Sequence, residues 1–148
     1  MSGLLRVLVT GSRSWSDAEV IGGALLDCWH DAVQLGADGI TVVHGDAPGA
    51  DSIADLWAIG YRGLGVLREP VPADWSACAP ECRPGHRRRR RDGSGYCPTA
   101  GLRRNQLMVD RGAAVCIGFW RAPGAGTLDC MARAARAGIR VRGFEAAR

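Results

Sequence analysis

The chain has 148 residues, 47% of them hydrophobic and 23% charged, and its 19 basic residues are all arginines. These fractions are typical of a soluble globular protein and exclude a disordered or fibrous chain, and the length predicts a single domain over residues 1–148. The formal net charge of +4 understates a local concentration of positive charge at Arg83 and Arg87–Arg91.

The N-terminal segment contains a short apolar run that is interrupted by Arg6 and followed at once by polar turn residues. This run is too short for a membrane span, and it lacks the layout of a secretory signal. We therefore expect a cytoplasmic protein with no membrane partner. Its six cysteines should stay reduced there, as buried thiols or metal ligands.

Short aliphatic runs bounded by turn residues predict five strands. The third run contains Glu69 and two prolines, so we place it at an edge of the sheet. The predicted strands are residues 4–10, 40–43, 64–71, 113–119 and 139–144.

Apolar residues at helical spacing predict a helix after each of the first two strands and on both sides of the fourth. The first helix should begin at a capping box formed by Ser16 and Glu19 and end before Gly36. The other predicted helices are residues 50–60, 101–111 and 127–137. This alternation predicts an α/β fold, a Rossmann-like, doubly wound and mostly parallel sheet of about five strands.

Glycine-rich turns follow three of the predicted strands. Ligands of open parallel sheets bind outside the carboxyl ends of the strands, where helix N-termini expose unpaired N–H groups. Ser12, Arg13 and Thr127 supply further donors at this edge, so we expect an anionic ligand there. No G-x-x-x-x-G-K-[ST] or G-x-G-x-x-G motif is present, which leaves ATP hydrolysis and ordinary NAD binding without support.

Five motifs in order, GSRSW, HGDAPGADSIADLWA, PADW, AGLRRNQLMV and GTLDCM, resemble the SLOG superfamily, in particular its branch related to bacterial YpsA proteins. The resemblance runs from about residue 5 to residue 142. It implies a Rossmann-like sheet and a pocket for a nucleotide or a nucleotide-derived ligand. Members of the superfamily include Lonely Guy phosphoribohydrolases, the single-stranded-DNA-binding DNA-processing protein A, and sensors of nucleotide-derived signals.

Within this pocket we expect Arg13 and Arg104 to hold phosphate and Asp51 to orient a ribose hydroxyl. His44 could bond phosphate, or it could only satisfy backbone groups at the end of its strand. The predicted ligand-binding residues are Gly11, Ser12, Arg13, His44, Gly45, Asp46, Gly49, Asp51, Arg104, Asn105, Gly124, Gly126 and Thr127.

The resemblance also raises the alternative of a phosphoribohydrolase-like enzyme, with Arg104, Asp129 and Asp51 as catalytic candidates. Arg104-Asn105-Gln106-Leu107-Met108 matches the R-K-x-x-M segment of those enzymes except for asparagine in place of lysine. Cys130 stands where their P-G-G-x-G-T-x-x-E motif has a glutamate. Asp51 and Asp129 could equally be carboxylates that only stabilise helix N-termini.

Residues 76–100 form a long connection that contains the pattern Cys78-x3-Cys82-x3-His86-x10-Cys97. Three thiolates and one imidazole suit a closed tetrahedral zinc site, and a loop of this length needs something to order it. We therefore predict a structural zinc in a knuckle-like insert. Chance clustering or a redox-labile cysteine pair are the alternatives.

The five arginines at Arg87–Arg91 directly follow one of these predicted ligands. Such a run can bind nucleic acid through its phosphates, or it can be a solvated loop. Cys28, Cys116 and Cys130 lie on apolar faces and are predicted to be buried thiols. Trp57 and Trp120 could be core or interface residues, which leaves homo-oligomerisation open.

Overall fold

The computed structural model describes residues 3–146. Its main sheet has five parallel strands, and a separate antiparallel hairpin has two. The strands are β1 (Leu4–Gly11), β2 (Gly39–His44), β3 (Val66–Pro70), β4 (Arg88–Arg89), β5 (Gly95–Tyr96), β6 (Val115–Trp120) and β7 (Arg140–Glu145). The order in the main sheet is β3-β2-β1-β6-β7, and β4 pairs with β5.

Two helices cover each face of the main sheet. They are α1 (Ala18–Gln34), α2 (Ala50–Gly60), α3 (Ala100–Asp110) and α4 (Ala125–Arg136), with a short 3-10 turn at Arg62–Leu64. Within residues 3–146, no helix combines the length and the apolar composition that crossing a bilayer would need.

The central strand β1 separates two hydrophobic cores. Side chains alternate between the faces of a strand, so Val7 and Val9 pack with α1 and α2, whereas Leu8 packs with α3 and α4. All three side chains are almost fully buried. The predicted Rossmann-like α/β fold is therefore confirmed, as is the edge position of the third strand.

Three local predictions differ from the structure. The side chain of Asp17 caps α1 by accepting a 3.2 Å hydrogen bond from the amide of Val20, so the predicted cap at Ser16 is wrong by one residue. Aspartate and serine serve equally well at this position, and the spacing alone does not choose between them. Helix α4 begins at Ala125, two residues earlier than predicted, and the insert contains the β4–β5 hairpin instead of being free of regular structure.

The chain changes direction across the sheet beside β1. From β1 it proceeds outward through β2 to β3, and then it returns to the other side of β1 to form β6 and β7. The carboxyl ends of β1 and β6 thus flank the topological switch point, which is the usual ligand position in open α/β sheets. At this point Gly11 allows the end of β1 to lie against α2, because a Cβ on Gly11 would overlap the Cβ of Ala50.

Candidate functional site

A cavity of about 470 Å³ opens at this switch point. The loop after β1 and the loop between β6 and α4 form two of its sides, and α3 and Trp75 form the others. The lining residues are Thr10, Gly11, Ser12, Arg13, Ser14, Ala47, Asp51, Trp75, Pro98, Gly101, Leu102, Arg104, Asn105, Met108, Arg121, Ala122, Pro123, Gly124, Ala125, Gly126 and Thr127.

The charged residues that line the cavity are three arginines, Arg13, Arg104 and Arg121, and one aspartate, Asp51. Among residues 3–146, neither Arg13 nor Arg121 forms an ion pair. Arg104 is half-buried and donates to the carbonyl oxygens of Gly45 and Val71, which fixes its guanidinium at the cavity wall. The lining therefore carries an excess of positive charge that suits an anion.

The N-terminus of α4 faces the same space. Within the described chain, the amides of Ala125, Gly126 and Thr127 have no protein acceptor, and no side chain caps this helix. A Cβ on Gly126 would meet no atom within 4 Å, so a ligand can approach its backbone closely. The helix dipole adds to the attraction for an anion at this end.

Asp51 presents one carboxylate oxygen without a partner. Its Oδ2 accepts hydrogen bonds from the amides of Gly45 at 3.0 Å and Ala47 at 3.3 Å. Its Oδ1 is buried and has no hydrogen-bond partner among residues 3–146. Burial raises the pKa of this carboxyl, although His44 and Arg104 act in the opposite direction. Since an unpaired buried oxygen is costly, a hydrogen-bond donor from a ligand would satisfy it.

Four of the predicted ligand-binding residues do not line the cavity: His44, Gly45, Asp46 and Gly49. His44 is fully buried, accepts a hydrogen bond at Nδ1 from the amide of Asp46, and bonds Asp55 through Nε2 at 2.7 Å. A Cβ on Gly45 would overlap the guanidinium of Arg104. A Cβ on Gly49, whose φ is +80°, would overlap the backbone of Ser12 and Arg13. His44, Gly45 and Gly49 therefore support the wall through close packing, whereas Asp46 is exposed.

Asn105 and Asp129 connect α3 to α4. The buried amide of Asn105 donates to the carbonyl oxygen of Gly126 at 3.2 Å and to Oδ2 of Asp129 at 3.1 Å. Asp129 also accepts a 2.8 Å hydrogen bond from Arg133 one turn later on α4, and it does not line the cavity. Of the two aspartates named as catalytic candidates, only Asp51 reaches the site.

Sequence reasoning missed Arg121 and Trp75. Arg121 directly follows β6, so the same strand-end argument that selected Arg13 could have selected it. Trp75 lies in the loop after the edge strand, where no sequence periodicity indicates which side chains turn inward. Its six-membered ring packs against α3, since a Cβ on Gly101 would lie 2.8 Å from it.

The insert brings Cys78, Cys82, His86 and Cys97 together, with one ligand atom from each and all four atoms within 4.8 Å of one another. Nε2 of His86 lies 3.2 Å from the sulfur of Cys78 and 3.3 Å from that of Cys97. The sulfurs of Cys82 and Cys97 are 3.9 Å apart. Tetrahedral ligands about 2.0–2.3 Å from one ion are separated by roughly 3.5–3.8 Å, so this cluster could bind a metal ion.

Arg103 of α3 donates hydrogen bonds to two of the four cluster residues. Its Nη1 donates to the sulfurs of Cys82 at 3.4 Å and Cys97 at 3.5 Å, and also to the hydroxyl of Thr99. Burial opposes ionisation of Cys97, but hydrogen bonds from Thr99 and Arg103 lower its pKa to about 5. Three thiolates around a divalent ion leave one excess negative charge, which Arg103 offsets. The other three cysteines are buried, as predicted, at Cys28, Cys116 and Cys130.

The side chains of two arginines of the run contact neighbouring groups, and those of the other three form no hydrogen bond or ring contact in the described structure. Arg87 donates to the carbonyl oxygen of Ser76 at 2.8 Å, and the guanidinium of Arg90 lies 4.8 Å from the centre of the Tyr96 ring. The remaining arginines of the run are exposed and form no ion pair within residues 3–146. They are Arg88, Arg89 and Arg91.

Two solved structures share this fold. DNA processing protein A from Streptococcus pneumoniae matches with a TM-score of 0.61 and 17% identity over 97% of this chain, which spans about half (51%) of that protein's chain. The protein TM1055 matches with a TM-score of 0.52 and 18% identity, over 93% of this chain and 72% of the other.

Comparisons of sequence identify the family. The Gene 61 protein of Mycobacterium phage D29 is 40% identical over 141 residues, which cover 94% of this chain and 95% of that protein. The family model described as "YspA, cpYpsA-related SLOG family" matches residues 5–77. The resemblance inferred from the motifs is thereby confirmed, and the chain belongs to the YspA, cpYpsA-related SLOG family.

Proposed function

We propose that the protein binds a nucleotide or a nucleotide-derived phosphorylated ligand in the cavity at the switch point. The observation that carries this proposal is the surplus of guanidinium and amide donors around a single inward carboxylate. Arg13, Arg104, Arg121 and the first amides of α4 hold the phosphate. Oδ1 of Asp51 accepts a hydrogen bond from a ribose hydroxyl or a base N–H.

The size and composition of the cavity support this proposal. A volume of about 470 Å³ falls in the range of small-molecule sites, roughly 300–1,000 Å³. Leu102, Met108 and Pro98 add apolar residues to the same lining. Inorganic anions alone would not need such an apolar wall.

The positions of the carboxylates favour ligand binding without hydrolysis of the ligand. Cleavage of a glycosidic bond needs a carboxyl group beside the sugar or an acid that protonates the base. Cys130 occupies the position of the expected glutamate and is fully buried, and Asp129 is engaged by Asn105 and Arg133. Among residues 3–146, Asp51 is the one carboxyl group in the cavity lining, so a hydrolase version of the proposal would have to use it.

We further propose that the ion in the insert is zinc, with a structural role. Closed Cys3His sets are typical of structural zinc sites. The amide of Ala79 donates to the sulfur of Cys82 at 3.3 Å, an arrangement that supports a metal-bound thiolate in a tight turn. All four ligand positions would be filled by protein, so the ion would have no open position for chemistry.

Calorimetric titration tests the proposed ligand class. AMP, GMP, CMP, UMP and ribose 5-phosphate are titrated into the wild type and into an Arg13→Gln, Arg121→Gln double variant. We expect at least one compound to bind, and the double variant to bind it at least about tenfold more weakly, because two charge-assisted contacts are lost. Arg136→Gln, at the far end of α4, is the control. Failure of all five compounds to bind the wild type would refute the proposal, and release of free base would indicate the hydrolase.

The exposed arginines of the β4–β5 hairpin favour a second candidate function, binding of single-stranded nucleic acid. These side chains have no acidic partner in the described structure, and a folded insert would hold them on one surface. A solved structure with the same fold belongs to a protein named DNA processing protein A.

The dependence of affinity on salt tests this second function. Each phosphate contact on a single strand contributes about −0.7 to the slope of log affinity against log salt concentration. Replacing Arg88, Arg89 and Arg91 with serine should therefore reduce the slope for an oligothymidylate by up to about 2. An unchanged slope would rule out the hairpin as the contact surface.

A further inference from the structure

Trp75 has a position that differs from that of an ordinary core tryptophan. Its ring is half-buried and lines the cavity beside Pro98 and Leu102. The guanidinium of Arg13 lies 5.7 Å from the ring centre. Trp15, by comparison, is buried against Phe119 in the core. The indole of Trp75 thus presents aromatic surface next to a group that we assign to phosphate binding.

The metal-binding insert holds the backbone on which this ring is carried. The amide of Cys97 donates a 2.7 Å hydrogen bond to the carbonyl oxygen of Trp75. Arg87, next to His86, donates to the carbonyl oxygen of Ser76 at 2.8 Å. Three consecutive carbonyl groups, at residues 75–77, are bonded by the insert or by Arg103.

Arg103 provides the third of these bonds and joins it to the cluster. Its Nη2 donates to the carbonyl oxygen of Ala77 at 2.8 Å, while its Nη1 donates to the sulfurs of Cys82 and Cys97. The ring of Tyr96, which precedes Cys97, meets Trp75 edge to face at 6.3 Å between centroids. If the cluster lost its order, both the backbone hydrogen bonds and the side-chain contact that hold Trp75 in place would therefore be weakened.

From these contacts we infer that Trp75 is the stacking surface for the base of the bound nucleotide and that the metal-bound insert positions it, so that base binding and metal binding are coupled. The inference rests on the proposed function, because it names the part of the ligand that this wall recognises. Of the groups that we assign to the phosphate, Arg121 follows β6, the free amides begin α4, and Arg104 is held by the carbonyl oxygens of Gly45 and Val71, outside the insert. Arg13 alone lies against Trp75. The insert should thus affect recognition of the base more than recognition of the phosphate.

Two compounds separate the contribution of the base to the affinity from that of the phosphate. AMP and ribose 5-phosphate share the ribose phosphate and differ by the base. Stacking of one base on an aromatic side chain strengthens binding by about 5- to 150-fold. We expect the wild type to prefer AMP by a factor in this range and Trp75→Phe to keep most of the preference. Trp75→Leu should lose the preference, with a smaller change in the affinity for ribose 5-phosphate, because Arg13 loses its contact with the ring. Trp57→Leu, on α2, is the matched control.

Removal of the metal by a chelator tests the coupling. In the wild type we expect the preference for AMP to fall as far as it does in Trp75→Leu, whereas chelation of Trp75→Leu should change it no further. Because coupling is reciprocal, saturating AMP should raise the affinity for zinc by the same factor in a competition titration against a fluorescent chelator. Circular dichroism checks that the main sheet remains folded.

Each result bears on a stated part of the inference. If ribose 5-phosphate and AMP bind equally well to the wild type, the stacking role is wrong while the phosphate-binding function stands. If chelation leaves the preference for AMP intact, or weakens both ligands equally, the coupling is wrong. If none of the five compounds named above binds, the proposed function fails and this inference fails with it.

Discussion

The amide of Arg121 donates a 2.9 Å hydrogen bond to the hydroxyl oxygen of Ser12, across the gap between the ends of β1 and β6. The amide of Ser12 in turn donates to the carbonyl oxygen of Phe119 at 2.8 Å. These bonds extend the pairing of the two strands beyond the sheet. They fix the distance between the two loops that carry Arg13 and Arg121, both of which line the cavity.

Substitution of Ser12 by alanine tests this tie. We expect Ser12→Ala to lower the free energy of unfolding by only about 1 kcal/mol, because the bond is exposed to water. The affinity for AMP should fall by more than the roughly fivefold that corresponds to 1 kcal/mol, since the loop that carries Arg121 loses its fixed position. Chemical denaturation and calorimetry measure the two effects. Ser16→Ala, whose side chain does not cap α1, is the control, and an unchanged affinity in Ser12→Ala would contradict the role of the tie.

Asp51 should make the protein less stable as pH rises above the pKa of an unfolded aspartate. Burial raises the pKa of its carboxyl in the folded state, so the folded state holds a proton that the unfolded state releases near pH 3.9. Stability attributable to this group is therefore present at low pH and is lost as pH rises from the unfolded pKa through the folded one. Urea denaturation between about pH 4 and 7 should show this decline in the wild type and a smaller one in Asp51→Asn.

The same substitution should weaken ligand binding. The amides of Gly45 and Ala47 need an acceptor, so the asparagine oxygen would turn toward them and its NH2 group would face the cavity. A donor then replaces an acceptor at the position of Oδ1, and we expect AMP to bind at least about tenfold more weakly. Equal affinity in Asp51→Asn and in the wild type would show that no ligand donor reaches this oxygen.

The metal cluster should protect the insert from proteolysis. The arginines of the insert are exposed trypsin sites, and a bound ion holds the chain on both sides of them. Chelation or Cys82→Ser should therefore accelerate cleavage within Arg87–Arg91 and abolish the one bound zinc expected per chain. Mass spectrometry of the fragments and metal analysis measure both results. Cys28→Ala, in α1, should keep its metal and its resistance, and metal-free wild-type protein that is equally resistant would contradict the prediction.

Local signals predicted most of the fold and part of the site. The aliphatic runs of β1, β2 and β6 and the glycines at the ends of β1 and β2 are visible in sequence, because strands and tight turns depend on neighbouring residues. The strand-end rule placed Arg13 and Thr127 correctly at the cavity edge, and the spacing of four ligands identified the cluster. The rule could not show that His44 turns toward α2 and not toward the cavity, because that orientation depends on its contact with Asp55.

Trp75 shows a second limit of prediction from the sequence, which is the effect of contacts between residues distant in the chain. Its inward position depends on the hydrogen bond from Cys97, 22 residues later in the chain, and on the absence of a side chain at Gly101. Neither contact produces a periodic pattern in the sequence. The sequence alone therefore predicted Arg13 and Thr127 in the cavity lining, but it did not predict Trp75.

Glu69 should contribute stability that is lost in acid. Its carboxylate accepts hydrogen bonds at 2.5 and 2.9 Å from Arg6, two strands away on β1, and the guanidinium of Arg111 lies 3.5 Å from it. The hydrogen bond from Arg6 lowers the pKa of Glu69 against the effect of partial burial. The contribution is therefore fully present above the unfolded pKa of about 4.3 and disappears as pH falls through the folded value.

Urea denaturation of Glu69→Gln checks this sign. At about pH 7 we expect the variant to be less stable than the wild type by about 1–2 kcal/mol, since a half-buried Arg6 loses a charged partner. Once the pH falls below the lowered pKa of Glu69 in the folded state, the difference should vanish, because Glu69 is then uncharged in both states. Glu145→Gln, an exposed residue on β7, should show no such pH-dependent difference. A difference that persists in acid would mean that Glu69 stabilises the sheet by packing and not through its charge.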